Sequence, residues 1–341
     1  MPNIIFSEGS NVANSAFGLA QAPIKSVILQ QAQLWEDRML YPKIAKQETS
    51  THAMEQYSSF TDLGDYEAVG ENGAYPSTGY QEGYKRIIEN VTWKSQFAIS
   101  QEAMEDATLP GVKQGASKLG RTYERTREKL VADFLASAVG ADAVTRGKFS
   151  FSTKGADNVR LFSTAHPNFF NSSITQSNCF ADEFSADALK YAAAAMNGFK
   201  DEDGEYVDIE PKTIIIPNNP ALLKAVLAAV GTPDDPETAN NAFNYSCGIW
   251  NVLVWQQLNA TLGDNSGYWF LLDGDYNDLV GTIILQNRTA QTIKSVIDDN
   301  DANVWKGRCR FGIGANDWRG ICVGGVASAT QLISQGGELN G

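Results

Sequence analysis

The chain has 341 residues, 43% of them hydrophobic and 20% charged, which is enough apolar material to fill a sizeable core in one or two domains. Its 27 basic and 40 acidic side chains leave a net charge of −13, so the bulk composition lacks the basic balance of a protein that grips nucleic-acid phosphates. There is no basic segment followed by an apolar stretch at the amino terminus, and no apolar run reaches the roughly 18 residues that span a bilayer, which predicts a protein made in the cytoplasm with no membrane partner.

Met1 to Gly18, rich in Asn, Ser, Gly and Ala without periodicity, predicts an arm that only a neighbouring surface would order. Leu34, Met39 and Leu40 recur among charges between Gln30 and Ile44, a short amphipathic helix that Tyr41-Pro42 closes. A segment punctuated by Gly64, Gly70, Gly73, Pro76, Gly79 and Gly83 then leads into Tyr84 to Ile99, where Ile87, Val91, Trp93, Phe97 and Ile99 alternate with Arg86, Asn90, Thr92, Lys94 and Gln96. Strand alternation sustained over about sixteen residues, at about 3.3 Å each, predicts a ribbon roughly 50 Å long, whereas a mean strand has about five or six residues. Such a ribbon suits a subunit that reaches across to its neighbours, and Ile87, Val91, Trp93 and Phe97 are its candidate inter-subunit contacts.

Ser100 is an N-cap candidate for a short helix to about Ala107. After Leu109-Pro110-Gly111, the spacing of Leu119, Tyr123, Leu130 and Phe134 predicts one long amphipathic helix over Val112 to Val139, with Glu124, Arg127 and Glu128 among its polar positions. Gly140 to Cys179 reads as loop with short strands. Ser185 caps a helix over Ala186 to Asn197, Asp201 to Glu205 makes a tight turn, Pro211 to Pro217 a buried strand, and Asn219 caps a helix ending at Gly231. Strands follow at Ile249–Trp255, Tyr268–Leu272, Val280–Leu285, Thr292–Ile297, Val304–Phe311 and Trp318–Val323. In Val304 to Phe311, Trp305, Cys309 and Phe311 face one way and Lys306, Arg308 and Arg310 the other. The fold class is α+β.

The residues offer little chemistry. His52 and His166 are the only histidines and neither has a second ligand at helical spacing; His166 fits the ordering of a loop. Cys179, Cys247, Cys309 and Cys322 lie far apart and are expected to be reduced and mostly buried. Gly140 to Lys148 has the wrong spacing for a phosphate loop, and Gly312-Ile313-Gly314 lacks the third glycine of a dinucleotide fingerprint. Asp273 with Asp275, and Asp298 with Asp299 and Asp301, read as solvated turns. The expectation is no catalytic residue, no cofactor and no metal site.

The order of arm, long ribbon, long helix, strand-rich region and closing strand resembles the fold of tailed-phage capsid subunits, the Johnson fold shared by herpesvirus shell floors and encapsulins. The segments Phe97 to Asp106, Leu119 to Glu128, Leu161 to Asn168, Pro211 to Pro220 and Lys306 to Gly312 are similar in wording to the phage Mu-type major head subunit family. The resemblance implies an N-terminal arm and short helix (1–50), an extended loop (51–99), a peripheral domain with its spine helix (100–208), an axial domain (209–300) and return strands with a C-terminal tail (301–341). It implies a major capsid protein that assembles with itself in pentamers and hexamers into an icosahedral shell of the virion. The shell would be built in the host cytoplasm with a portal and a separate scaffolding protein, enclosing DNA without sequence-specific binding. The alternatives are an encapsulin-like nanocompartment shell and an acidic hydrolase working through an Asp pair.

Overall fold

Backbone hydrogen bonds settle where the alternating and helical segments go. A computed structural model describes residues 4–8, 16–60, 68–71, 73–75, 82–102, 109–231, 244, 246–329 and 331–332. In chain order the elements are β1 (Ile4–Glu8), α1 (Ala16–Glu36), α2 (Tyr41–Ile44), β2 (Lys46–Thr49), β3 (Met54–Phe60), β4 (Glu82–Glu89), β5 (Val91–Ile99) and α3 (Leu109–Ser137). Then come β6 (Ala143–Arg146), β7 (Phe149–Ser152), β8 (His166–Pro167), β9 (Thr175–Gln176), α4 (Ala186–Asn197), β10 (Thr213–Ile216), α5 (Pro220–Gly231) and β11 (Asn251–Val254). The last are α6 (Asn259–Leu262), β12 (Trp269–Leu272), α7 (Gly274–Val280), β13 (Ile283–Ile297), β14 (Asn303–Ala315) and β15 (Ile321–Gly324).

Two sheets carry this α+β fold. The larger has the order β1-β13-β14-β5 with β2 also on β13, and the smaller the order β11-β10-β12-β15. Ile214, Ile215, Ile216, Phe270, Leu271, Ile321 and Cys322 of the smaller sheet are fully buried, as are Val131, Phe134 and Leu135 of α3, so one apolar core joins the long helix to both sheets. α1 crosses α3 where Gly120 lets the backbones close up: a Cβ there would come 2.6 Å from the carbonyl of Ile28.

Several expectations are corrected. The arm is not structureless, since Ile4–Glu8 adds a parallel strand to the edge of β13 and Ala16 already starts a 21-residue helix. The helix expected over Gln30 to Ile44 is two helices, with Pro42 in the first turn of α2, where its missing N–H removes no intrahelical bond. α3 starts at Leu109 and takes Pro110 into its own first turn. Gln101 and Glu102 are helical, but residues 103–107 of the short helix expected after Ser100 lie outside the described residues. The strands expected at Val280–Leu285 and Thr292–Ile297 are one 15-residue strand, bridged through register shifts between Asn287 and Thr292. That strand pairs antiparallel with β14 along nearly its full length. Asp273 is no solvated turn residue but the buried N-cap of α7, accepting from Tyr276 N at 3.0 Å.

Candidate assembly surface

The predicted ribbon breaks in two at Asn90, which is buried and makes a different set of bonds from a strand residue. Its N–H donates to the Ala53 carbonyl at 2.9 Å, and its amide Nδ2 donates to Ser50 Oγ at 2.8 Å and the His52 carbonyl at 2.9 Å. The break shifts the buried phase: Ile88 is buried before it, Val91 after it. β4 pairs with β3 as a separate hairpin, while β5 joins the larger sheet beside β14.

The four candidate contacts therefore part company. Val91 lies in the core. Trp93 stacks on Phe311 at 4.8 Å between centroids, and its indole N–H donates to the Phe311 carbonyl at 3.2 Å. Phe97 stacks on Trp305 at 5.4 Å and lies against Gly115 of α3, where a Cβ would collide with its ring. These three are positioned by their own subunit, because the side of β5 they share faces α3. Ile87 alone stays open, at 55% exposure, with Gln56 directly opposite and Met54 diagonal to it, itself 54% exposed.

The inner face of the hairpin is anchored. Ile88 lies over Gly314, where a Cβ would come 2.7 Å from its Cδ1, and the glycine at 312 leaves room for the Glu89 carbonyl. Glycines inside a strand mark close backbone approach, a signal present in Gly312-Ile313-Gly314 but read in the sequence only against a dinucleotide motif. Tyr57 Oη donates to Gln286 Oε1 at 3.0 Å, Arg86 Nη2 to the Ser152 carbonyl at 3.1 Å, and Tyr84 Oη to the Pro167 carbonyl at 3.2 Å.

Two buried polar clusters brace the body. Glu128 of α3 accepts from the backbone N–H of Leu40 and Tyr41 and, at 2.5 Å, from the Trp255 indole N–H; Glu124 accepts from Tyr41 Oη at 2.7 Å. Burial pushes both carboxyls above their ordinary range, opposed by Arg127 beside Glu124 and by the donated hydrogen bonds at Glu128. In the second cluster His166 is wholly buried, bonded to Asp157 at 2.6 Å and to Asn178 Oδ1 at 3.2 Å, and stacked on Trp318 at 4.2 Å. It orders the loop there. Arg319 next door bridges Asp317 and Glu202, and Glu202 in turn accepts from Phe169 N at 2.7 Å.

Burial raises the thiols of Cys179 and Cys309 to about 12, which leaves them protonated, and all four cysteines are free. Among the described residues no group of His, Cys, Asp or Glu is arranged to hold a metal, and no helix is long and apolar enough to cross a membrane.

A family model described as phage capsid protein matches residues 84–324, from β4 to the end of β15. The chain belongs to the phage capsid protein family. No curated protein matches it. Among solved structures, its fold is similar to the capsid of Ralstonia phage GP4, with a TM-score of 0.55 at 10% identity over 84% of this chain and 90% of that one. It is likewise similar to the capsid of the cyanophage P-SCSP1u, TM-score 0.53, 10% identity, 84% and 87% covered. A structure from Mycobacterium phage Patience matches at TM-score 0.50 and 13% identity over 95% and 92% of the two chains. The expected α+β capsid fold is thus observed, and the capsid subunit is a major shell protein of a phage virion.

Proposed function

We propose that copies of this capsid protein assemble as pentamers and hexamers into a closed icosahedral head around packaged DNA, in the host cytoplasm, with a portal and a separate scaffolding protein. Within it, residues 51–99 act as the extended loop, 100–208 as the peripheral domain built on α3, 209–300 as the axial domain and 301–341 as the return strands and tail. The finer kinship is with Mu-type head subunits. The protein carries out no catalysis; its work resides in interfaces.

The observation that carries this reading is the hairpin β3–β4, seated by Ile88 on the subunit's own sheet while Met54 and Ile87 remain open on its outer face. A solvent-facing Met–Ile pair on this hairpin is the apolar centre of an interface in want of a second copy. Negative-stain microscopy of the purified protein, alone and with the products of neighbouring genes, is expected to give closed shells. A protein that stays monomeric under every such condition overturns the proposal.

A further inference from the structure

The bulk charge of −13 conceals a local reversal on the larger sheet. Lys94 of β5 is the register partner of Arg308 of β14, and Lys294 of β13 is the partner of Lys306 of β14. All four are exposed, and they line one groove of about 620 Å³ whose face is opposite to the one packed on α3.

Like charges directly opposite each other across a ladder destabilise a sheet, and here two such pairs lie in adjacent rows, about 7 Å apart along the strands. Asp298 lies 3.8 Å from Lys306 at the rim, and both side chains are about half exposed. An anion in the groove would turn that repulsion into attraction.

The lining tells which anion. Beside the cations stand Gln96, Thr289 and Thr292, the polar types that with Lys and Arg make most contacts to nucleic-acid phosphates. Among the described residues no aromatic or large apolar side chain lines the groove, so these residues offer neither the anchor that a protein partner would need nor the stacking platform that would hold single-stranded bases.

We infer that this groove binds the phosphate backbone of duplex DNA, without reading its sequence. The inference deepens the shell reading, on which it rests only for the source of the DNA. Four ionic contacts are weak at physiological salt and measurable at low salt, with log Kd against log salt expected to have a slope of roughly 3.6.

The test is fluorescence anisotropy of a labelled duplex of about two helical turns, titrated with dispersed subunit between about 50 and about 200 mM salt. The wild type is compared with a K94Q/K294Q/K306Q/R308Q variant and with a control that removes four exposed charges elsewhere, K43Q/K129Q/K148Q/K224Q. The groove variant is expected to bind at least about tenfold more weakly at the low salt, the control within about threefold of wild type. Equal losses in both variants, or no binding by the wild type, overturn the inference. So does a groove variant that keeps its DNA affinity and loses self-association, which would make the occupant a second copy. Because the measurement uses unassembled subunits, it stands whether or not shells form, and microscopy of the same preparations judges the shell reading separately.

Discussion

Ile88 of the hairpin lies over Gly314 of β14, close enough that a methyl group added to the glycine would come 2.7 Å from the isoleucine's Cδ1. At Gly312 the added carbon would strike the backbone carbonyl of Glu89 instead, which a rotamer change cannot relieve. Gly314→Ala is therefore expected to cost about 1–3 kcal/mol and Gly312→Ala more. Ile88→Ala, which empties the seat, should cost about 2–4 kcal/mol alone, but less when combined with Gly314→Ala because the new methyl fills part of the void. Thermal unfolding of the four proteins checks this; strict additivity would mean that the two residues do not share a site.

The two neighbours Ile87 and Ile88 offer a sharper contrast, since one is 55% exposed and the other 2%. Ile87→Asp is expected to leave subunit stability within about 0.5 kcal/mol and to abolish assembly. Ile88→Asp buries an unpaired carboxyl and should unfold the hairpin or the whole subunit. Light scattering beside calorimetry separates the outcomes, and an Ile87→Asp protein that forms normal shells removes this face from the interface.

How much of this was legible in the sequence depends on how far away the deciding partner lies. The 3.6-residue spacing of Leu119, Tyr123, Leu130 and Phe134 is local, so α3 was visible. The burial of Glu124 and Glu128 was not, because their partners Tyr41 and Trp255 are 83 and 127 positions away. Alternation in Tyr84 to Ile99 was also visible, but it runs on unbroken through Asn90, whose bonds to Ser50 and His52 move the chain from one sheet to another. Side-chain pattern reports a strand's faces and not its partners: Val91 lies in the core, and Trp93 and Phe97 stack, partly buried, on aromatic rings of β14. The basic row of β14 was read correctly as one face; that β5 and β13 set further lysines beside it follows only from register.

Glu128 joins three segments through one carboxylate, so its loss should exceed that of any single donor. Glu128→Ala leaves the Trp255 indole and two backbone N–H groups without their acceptor and is expected to cost about 3–5 kcal/mol. Trp255→Phe removes one donor and should cost about 1–3 kcal/mol. A double-mutant cycle by denaturant unfolding is expected to give a coupling of about 0.5–3 kcal/mol; a coupling of zero would mean that the indole and carboxylate do not interact in solution.

Carboxyl groups shifted in opposite directions set the pH dependence. Burial holds Glu124 and Glu128 above the ordinary carboxyl value of 4.5, so the folded state binds protons more tightly than the unfolded one. Their contribution is fully present below about 4.5 and is lost as pH rises through the raised folded values. Glu55 goes the other way: hydrogen bonds from Ser50 Oγ and the N–H groups of His52 and Thr51 lower it from 4.5 to about 2, so its contribution is present above 4.5 and lost as pH falls towards 2. Replacing Glu124 by Gln should flatten the decline of melting temperature above pH 4.5, and Glu55→Gln should flatten the acid limb alone. Either substitution acting on the opposite limb would reverse the assigned sign.

The hairpin's base is seated on the body by residues outside the stretch from Gly64 to Gly83, which divides the consequences of shortening that stretch. The base keeps Ile88 on Gly314 and the bonds of Tyr57, Tyr84 and Arg86, all outside the deleted stretch. A variant in which 64–83 is replaced by a short turn is therefore expected to fold with nearly unchanged melting temperature, because closing a shorter loop changes chain entropy by only about 1 kcal/mol. Shell formation should fail, since the reach to a neighbour is gone while the apolar core is intact. Calorimetry and microscopy on the same preparation decide it. If the shortened protein melts cooperatively at a much lower temperature, the loop stabilises its own subunit, and the inference from this hairpin to a shell contact fails with it.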